Sequence, residues 1–289
     1  MNGIAPDYFY ESPDGLRLYC AAYPAQVPNG LPVLCLPGLT RNSRDFRTLA
    51  ERLALYHEVL AVDLRGRGRS AWDSDPTHYE LSTYVRDAWA LLDSRAVDRV
   101  VVIGTSLGGL VGMTMAAAQP GRVAGLILND IGPEIEPTGL RRIAGYVGSL
   151  PAVNNWFEAI AQTKSIYGLA LPGLTDAQWS DYAHCGYREN DNGIPVPDVD
   201  PRIAEVFKRP PAEDSNLWPL FRRLSRVPTL VMRGGLSDIL GANTFDRMAQ
   251  TKPDLMRVTL AYRGHAPLLD EPECLRAIDD FLFRYGQLR

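Results

Sequence analysis

No stretch of the chain approaches the roughly 20 consecutive apolar residues that a membrane-crossing helix requires. The opening segment, Met1–Ser12, lacks a basic patch followed by an apolar core, so no secretory signal is expected. There are only four cysteines, Cys20, Cys35, Cys185 and Cys274, and none stands in a paired metal or redox spacing. Reduced thiols in a cytoplasmic protein are the expectation. The four histidines are dispersed and no H-E-x-x-H segment occurs, so no metal is expected. Positive charge is not in excess either: the formal net charge is -4. The Arg65, Arg67, Arg69 stretch is too short and too broken by glycine to act as a basic arm. Neither nucleic acid nor a membrane surface is expected as a partner.

What the chain does have is length and apolar content. Its 289 residues, 46% hydrophobic and 22% charged, can bury one large core with an insertion. Short apolar runs at Val33–Leu36, Val59–Val62, Val100–Ile103 and Leu126–Leu128 alternate with helix-period segments near Arg44–Leu55, Tyr79–Ser94 and Leu107–Gln119. Strands apolar on every residue are buried on both faces, and joining them through helices predicts a mostly parallel sheet covered on each side. Tyr8–Tyr23, broken by Pro13-Asp14-Gly15, reads as an antiparallel hairpin at the sheet edge. From Pro133 to Arg226 the rhythm stops: the segment has a helical pattern, no convincing buried strand and many aromatics. It resumes with strands at Thr229–Met232 and Arg257–Leu260 and a closing helix at Glu271–Tyr285. The expected organisation is a core of residues 1–132 plus 227–289 and a helical cap of residues 133–226.

Gly104-Thr105-Ser106-Leu107-Gly108-Gly109 lies directly between a strand and a helix, the context in which G-x-S-x-G acts as a nucleophile elbow. The serine must adopt a strained backbone conformation to project its oxygen. Gly104 and Gly108 remove side chains where strand and helix approach closely. The helix start offers unpaired N–H groups and the positive end of a dipole to a developing oxyanion. A serine hydroxyl needs a base, and His265 in the loop before the last helix fits best, since loops at strand carboxyl ends carry the sites of open α/β sheets. His57, His78 and His184 fit less well. For the acid that steadies the imidazole, Asp238 is preferred, in the loop after Thr229–Met232 and in the order Ser, Asp, His. Its rival is Asp130, at the end of Leu126–Leu128. Oxyanion donors are expected from the N–H groups of Leu107 and of Leu39, in Leu36-Pro37-Gly38-Leu39-Thr40.

Together with Asp63-Leu64-Arg65-Gly66-Arg67-Gly68-Arg69-Ser70 and Gly264-His265-Ala266-Pro267 followed by Asp270-Glu271-Pro272, these motifs resemble the α/β-hydrolase superfamily over nearly the whole chain. The similarity is to its branch of small capped esterases, lactonases and carbon–carbon hydrolases. It implies an eight-stranded, mostly parallel sheet with the cap inserted after the sixth strand. It also implies a structural role for the Asp-x-Arg-Gly-x-Gly-x-Ser loop. Where many relatives carry His-Gly, this chain has Pro37-Gly38, which keeps a backbone donor but no histidine side chain.

The expected activity is hydrolysis of a small to medium carboxylic ester or lactone through an acyl-enzyme, with no cofactor and a small-molecule acyl substrate as the partner. Carbon–carbon bond hydrolysis or acyl transfer could use the same triad. A non-catalytic ligand receptor on the same fold is the alternative from another class. Dehalogenase and epoxide hydrolase chemistry is disfavoured, because it uses an aspartate where Ser106 stands. The cap is expected to roof the site, with Tyr146, Trp156 and Trp179 as candidate substrate contacts. Each could instead belong to the cap's own small core. Arg41, just past the oxyanion turn, could bind a carboxylate, although a solvated helix-start residue is the favoured reading.

Overall fold

An all-apolar strand needs a hydrophobic layer on each face, and the central strand of this protein has both. Val100 and Val102 point into one buried cluster with Leu34, Leu36 and Val111, while Val101 and Ile103 point into another with Val33, Cys35 and Phe281. The period-two alternation of a strand thus divides a single apolar run between two cores.

The computed structural model describes residues 6–208 and 216–288. The first residues of the Met1–Ser12 segment and residues 209–215 of the expected cap lie outside the described residues. The core begins with β1 (Asp7–Glu11), β2 (Arg17–Tyr23), β3 (Val33–Leu36), β4 (Val59–Asp63), β5 (Val100–Thr105) and β6 (Val123–Asn129). Helices α1 (Arg47–Leu53), α2 (Leu81–Ser94) and α3 (Leu107–Ala118) connect them. The segment after β6 carries α4 (Pro137–Ala144), α5 (Trp156–Tyr167), α6 (Asp176–Gly186), a hairpin of β7 (Tyr187–Glu189) and β8 (Pro195–Pro197), and α7 (Trp218–Arg222). The core then resumes with β9 (Thr229–Gly234), α8 (Ala242–Thr251), β10 (Met256–Leu260) and α9 (Pro272–Tyr285).

The eight core strands form one sheet in the order β1-β2-β4-β3-β5-β6-β9-β10. Only β2 runs against its neighbours, so the sheet is mostly parallel, with the expected hairpin at its edge. Side chains from α2, α3, α7 and α8 cover one face, and those from α1 and α9 cover the other. No helix among the described residues is long and apolar enough to cross a membrane. The four cysteines are free thiols, and Cys20, Cys35 and Cys274 are buried.

The β7–β8 hairpin adds two short strands to an insertion whose sequence shows no convincing buried strand. Its strands are three residues each, two of the six positions are prolines, and only Tyr187 and Pro195 are buried. Such a pair has no apolar run from which it could be read.

The Arg-Gly loop after β4 is scaffold, as its resemblance implies. Arg65 is buried and forks Asp87 at 2.7 and 2.7 Å, reaches Asp14 at 2.9 and 3.0 Å and meets Asp73 at 2.5 Å. Asp63 accepts the N–H groups of Ser43 and Arg69, each at 2.7 Å. The same loop meets the segment inserted between β6 and β9, called the cap below: Gly68 N–H donates to Asp198 O at 3.0 Å, and Asp200 N–H to Gly66 O at 2.8 Å. Arg67 Nε also donates to the Leu39 carbonyl at 2.9 Å, pinning the turn after β3. On the cap side, α6 starts with a capping box in which Thr175 and Gln178 satisfy each other's backbone N–H groups. Its last turn then meets the core where Asn42 Nδ2 and Arg44 Nη2 donate to Cys185 O at 2.8 and 3.0 Å.

Candidate active site

Ser106 sits between β5 and α3 with φ +52° and ψ -115°. A side chain in that region costs about 1–3 kcal/mol and persists only where its surroundings hold it. Here the surroundings are backbone. A Cβ on Gly104 would lie 2.3 Å from Gly108 O, and one on Gly108 would lie 2.0 Å from Leu36 O. The two glycines therefore let β5, α3 and β3 close around the serine. Ser106 N–H donates to Asn129 O at 3.1 Å, so the turn is also tied to the end of β6.

The loop after β10 brings His265 to the serine. Its Nε2 lies 2.9 Å from Ser106 Oγ and its Nδ1 lies 2.7 Å from Asp130 Oδ2. A carboxylate can only accept, so Nδ1 carries the proton and Nε2 is left to accept from the serine hydroxyl. Asp130 is completely buried, at the carboxyl end of β6 and with φ +54°. It also accepts the Gly234 N–H at 2.7 Å and the Ser237 hydroxyl at 2.5 Å.

The structure places the rival Asp130, and not the preferred Asp238, against the imidazole. Asp238 makes no hydrogen bond to His265; its carboxylate is forked by Arg142 of α4 at 2.6 and 2.8 Å. Those bonds hold its carboxyl below the ordinary carboxylate range. The loop that was expected to supply the acid instead donates to Asp130, through Gly234 and Ser237. Asn129 was missed by sequence reasoning. Its Nδ2 donates to Thr105 Oγ1 at 3.0 Å and to Pro267 O at 2.9 Å, joining the serine and histidine loops. The residue Asn129-Asp130 pair at a strand end was the available signal.

Gly38 turns beside the serine: a Cβ there would lie 3.9 Å from Ser106 Cβ. Among the described residues, neither the Leu39 nor the Leu107 N–H donates a hydrogen bond, so both are available to a ligand. As the first residue of α3, Leu107 has no partner within the helix. A cavity of about 210 Å³ opens here, lined among others by Gly38, Leu39, Ser106, Tyr146, Tyr182 and His265.

The three cap candidates separate. Tyr146 lines the cavity, where burial pushes its phenol pKa up and keeps it a neutral hydroxyl. Trp156 does not: it stacks on His184 at 3.7 Å between ring centroids and donates to Glu189 at 2.8 Å. Trp179 does not either; it packs with Ala170, Leu171 and Tyr182 in a cap cluster. Tyr167 and Tyr182 take the wall positions instead. Arg41 is also displaced from its favoured reading, being only 8% exposed and on the cavity wall. His57 is bonded to Leu31 O, and His78 to Asp73. Asp14, Asp73 and His78 stand close enough to ligate a cation, but the Arg65 guanidinium already reaches both carboxylates.

Comparison with known proteins places the fold in a family. The pattern of the Alpha/beta hydrolase family matches residues 33–274. The chain is 32% identical over 277 residues to a 3-hydroxybutyrate-oligomer hydrolase of Cupriavidus necator, covering 90% of this chain and 91% of the relative. It is 28% identical to a 2-(acetamidomethylene)succinate hydrolase of Mesorhizobium japonicum, covering 88% of each. Among solved structures, an alpha/beta hydrolase from Novosphingobium aromaticivorans is 44% identical with a TM-score of 0.92, covering 98% of this chain and 100% of that one.

Proposed function

Since the chain belongs to the alpha/beta hydrolase family, we propose that it is a serine hydrolase of small to medium carboxylic esters or lactones. The observation that carries this reading is the unbroken hydrogen-bond chain Ser106–His265–Asp130 beside two unengaged N–H groups. Ser106 Oγ adds to the ester carbonyl carbon while His265 Nε2 takes its proton, and Asp130 stabilises the imidazolium. The carbonyl oxygen becomes an oxyanion and accepts from the Leu39 and Leu107 N–H groups, each such donor being worth on the order of 10²–10³ in rate. His265 then returns the proton to the departing alkoxide, and the C–O bond breaks. Water, deprotonated in turn by His265, releases the acid and restores the serine. The oligomer named for the Cupriavidus relative supports a substrate built from a hydroxy acid.

The test is turnover by purified wild type and Ser106→Ala on a panel of short p-nitrophenyl esters, a lactone and a ring-cleavage diketone. Ester or lactone turnover should fall by about 10⁴-fold or more in the variant. Undiminished activity overturns the serine reading. Turnover of the diketone alone redirects the same triad to carbon–carbon bond hydrolysis.

A further inference from the structure

A second cavity, of about 430 Å³, lies between cap and core against the catalytic one. Its walls are largely apolar, with Leu150, Ile166, Val196, Pro197 and Val199 among them. The two cavities share Thr40, Arg41, Tyr146 and Tyr167, so these residues stand at their junction. The leaving group of an acyl transfer must lie beside the histidine that protonates it. The catalytic cavity is lined by His265–Asp270, whereas none of those residues lines the second cavity. With the leaving group in the catalytic cavity beside His265, the second cavity is left to the acyl side of an ester.

Arg41 has an unusual position at that junction. It is nine-tenths buried, and two of its three nitrogens are engaged. Nε and Nη2 fork Asp45 at 2.8 and 2.6 Å, and Nη2 also donates to Tyr182 O at 3.3 Å. The guanidinium lies 4.0 Å from the Tyr182 ring centroid, which fixes its plane. Nη1 makes no hydrogen bond to any described residue, and it is not closed off in the way Arg67 Nη2 is. It faces Gly186, where an added Cβ would lie 2.7 Å away, and Gly186 lines the second cavity.

We propose that Arg41 Nη1 is a substrate-binding donor that holds a second, uncharged carbonyl on the acyl chain, so that the preferred substrates are esters whose acyl group carries a further ester or ketone. This deepens the ester-hydrolase reading and rests on it. The acceptor is uncharged because Asp45 already neutralises Arg41. The other arginine on this cavity, Arg188, is half-exposed at the rim and faces Asp198 at 3.5 Å. A free carboxylate on apolar walls would thus be left without its own counter-charge, which is costly. A neutral carbonyl asks only for the donor that is free.

The experiment compares kcat/KM for p-nitrophenyl 3-acetoxybutanoate with that for p-nitrophenyl 3-ethoxybutanoate, which differ by the second carbonyl alone. The wild type should favour the acetoxy ester by about tenfold or more, as a hydrogen bond to a charged donor implies. Arg41→Lys keeps a cation for Asp45 but has no nitrogen at the position of Nη1, and Gly186→Ala places a methyl in front of Nη1. In each the ratio should fall towards one, and because it is taken within one protein, a general loss of activity cancels. Equal rates on the two esters in the wild type, or a ratio kept in both variants, overturns the proposal. So does a preference for the p-nitrophenyl hemiester of glutaric acid, which carries a free carboxylate. Failure of the wild type to hydrolyse even p-nitrophenyl acetate would instead defeat the ester reading on which it rests.

Discussion

The loops at the strand ends and the cap above them hold their functional groups by different means. In the core, position is set by backbone. Ser106 N–H reaches the end of β6, Asp130 N–H reaches Met232 O of β9 at 2.8 Å, and the Asn129 side chain spans two loops. In the cap, position is set by side chains meeting one another: Tyr167 packs edge-on against Tyr146 and Tyr182, and Trp156 stacks on His184. The two aspartates mark the border. Asp130 is clamped by core loops and faces the histidine, whereas Asp238, one residue past Ser237, is turned to Arg142 of the cap. The candidate triad is thus built on the sheet, where near-0.5 Å accuracy can be held, whereas the tyrosines on the cavity wall are held by side-chain contacts within the cap.

The largest expected effect on stability comes from breaking the backbone side of that comparison. Gly108→Ala would drive a methyl to within 2.0 Å of the Leu36 carbonyl, an atom that cannot rotate away. A loss of about 2–4 kcal/mol is expected by thermal or urea unfolding. Stability within 0.5 kcal/mol of wild type would show that the elbow is not closed as described.

The border pair gives a smaller effect with a pH signature. Arg142 holds the Asp238 carboxyl below its unfolded pKa, which is near ~3.9. A depressed folded pKa contributes stability that is fully present above the unfolded value and lost as pH falls through the folded one. Both side chains are about a third exposed, at 30% and 31%, so solvent screening limits the pair to about 0.5–1 kcal/mol. Asp238→Asn should therefore cost that much above pH ~5 and nothing well below ~4. A deficit independent of pH would remove the ion pair from the account.

How much of this was legible in the sequence follows the same division. Ser106 and His265 are readable because their chemistry demands a local motif, a strand-turn-helix around the serine and a loop before the last helix. Asp130 and Asp238 both lie in loops after adjacent strands, and linear spacing cannot say which carboxylate points inward. The answer lies in the left-handed backbone of Asp130 and in Ser237, which turns its loop towards that residue. The cap aromatics defeat sequence reading more thoroughly. Trp156 and Trp179 satisfy the cap's own clusters, while Tyr167 and Tyr182 line the cavity, and nothing in their spacing distinguishes the two pairs. Arg41 reads as solvated until the distant α6 is folded over it.

The identity of the acid is the central claim, and one side-by-side measurement decides it: kcat/KM on p-nitrophenyl butyrate for Asp130→Asn and Asp238→Asn. The amide at residue 130 can no longer hold Nδ1 as the donor, so a fall of about 10⁴-fold is expected there. At residue 238 the change should stay within about tenfold, since its carboxylate serves Arg142 and not the imidazole. The reverse ranking, with Asp238→Asn the crippled variant, would contradict the account.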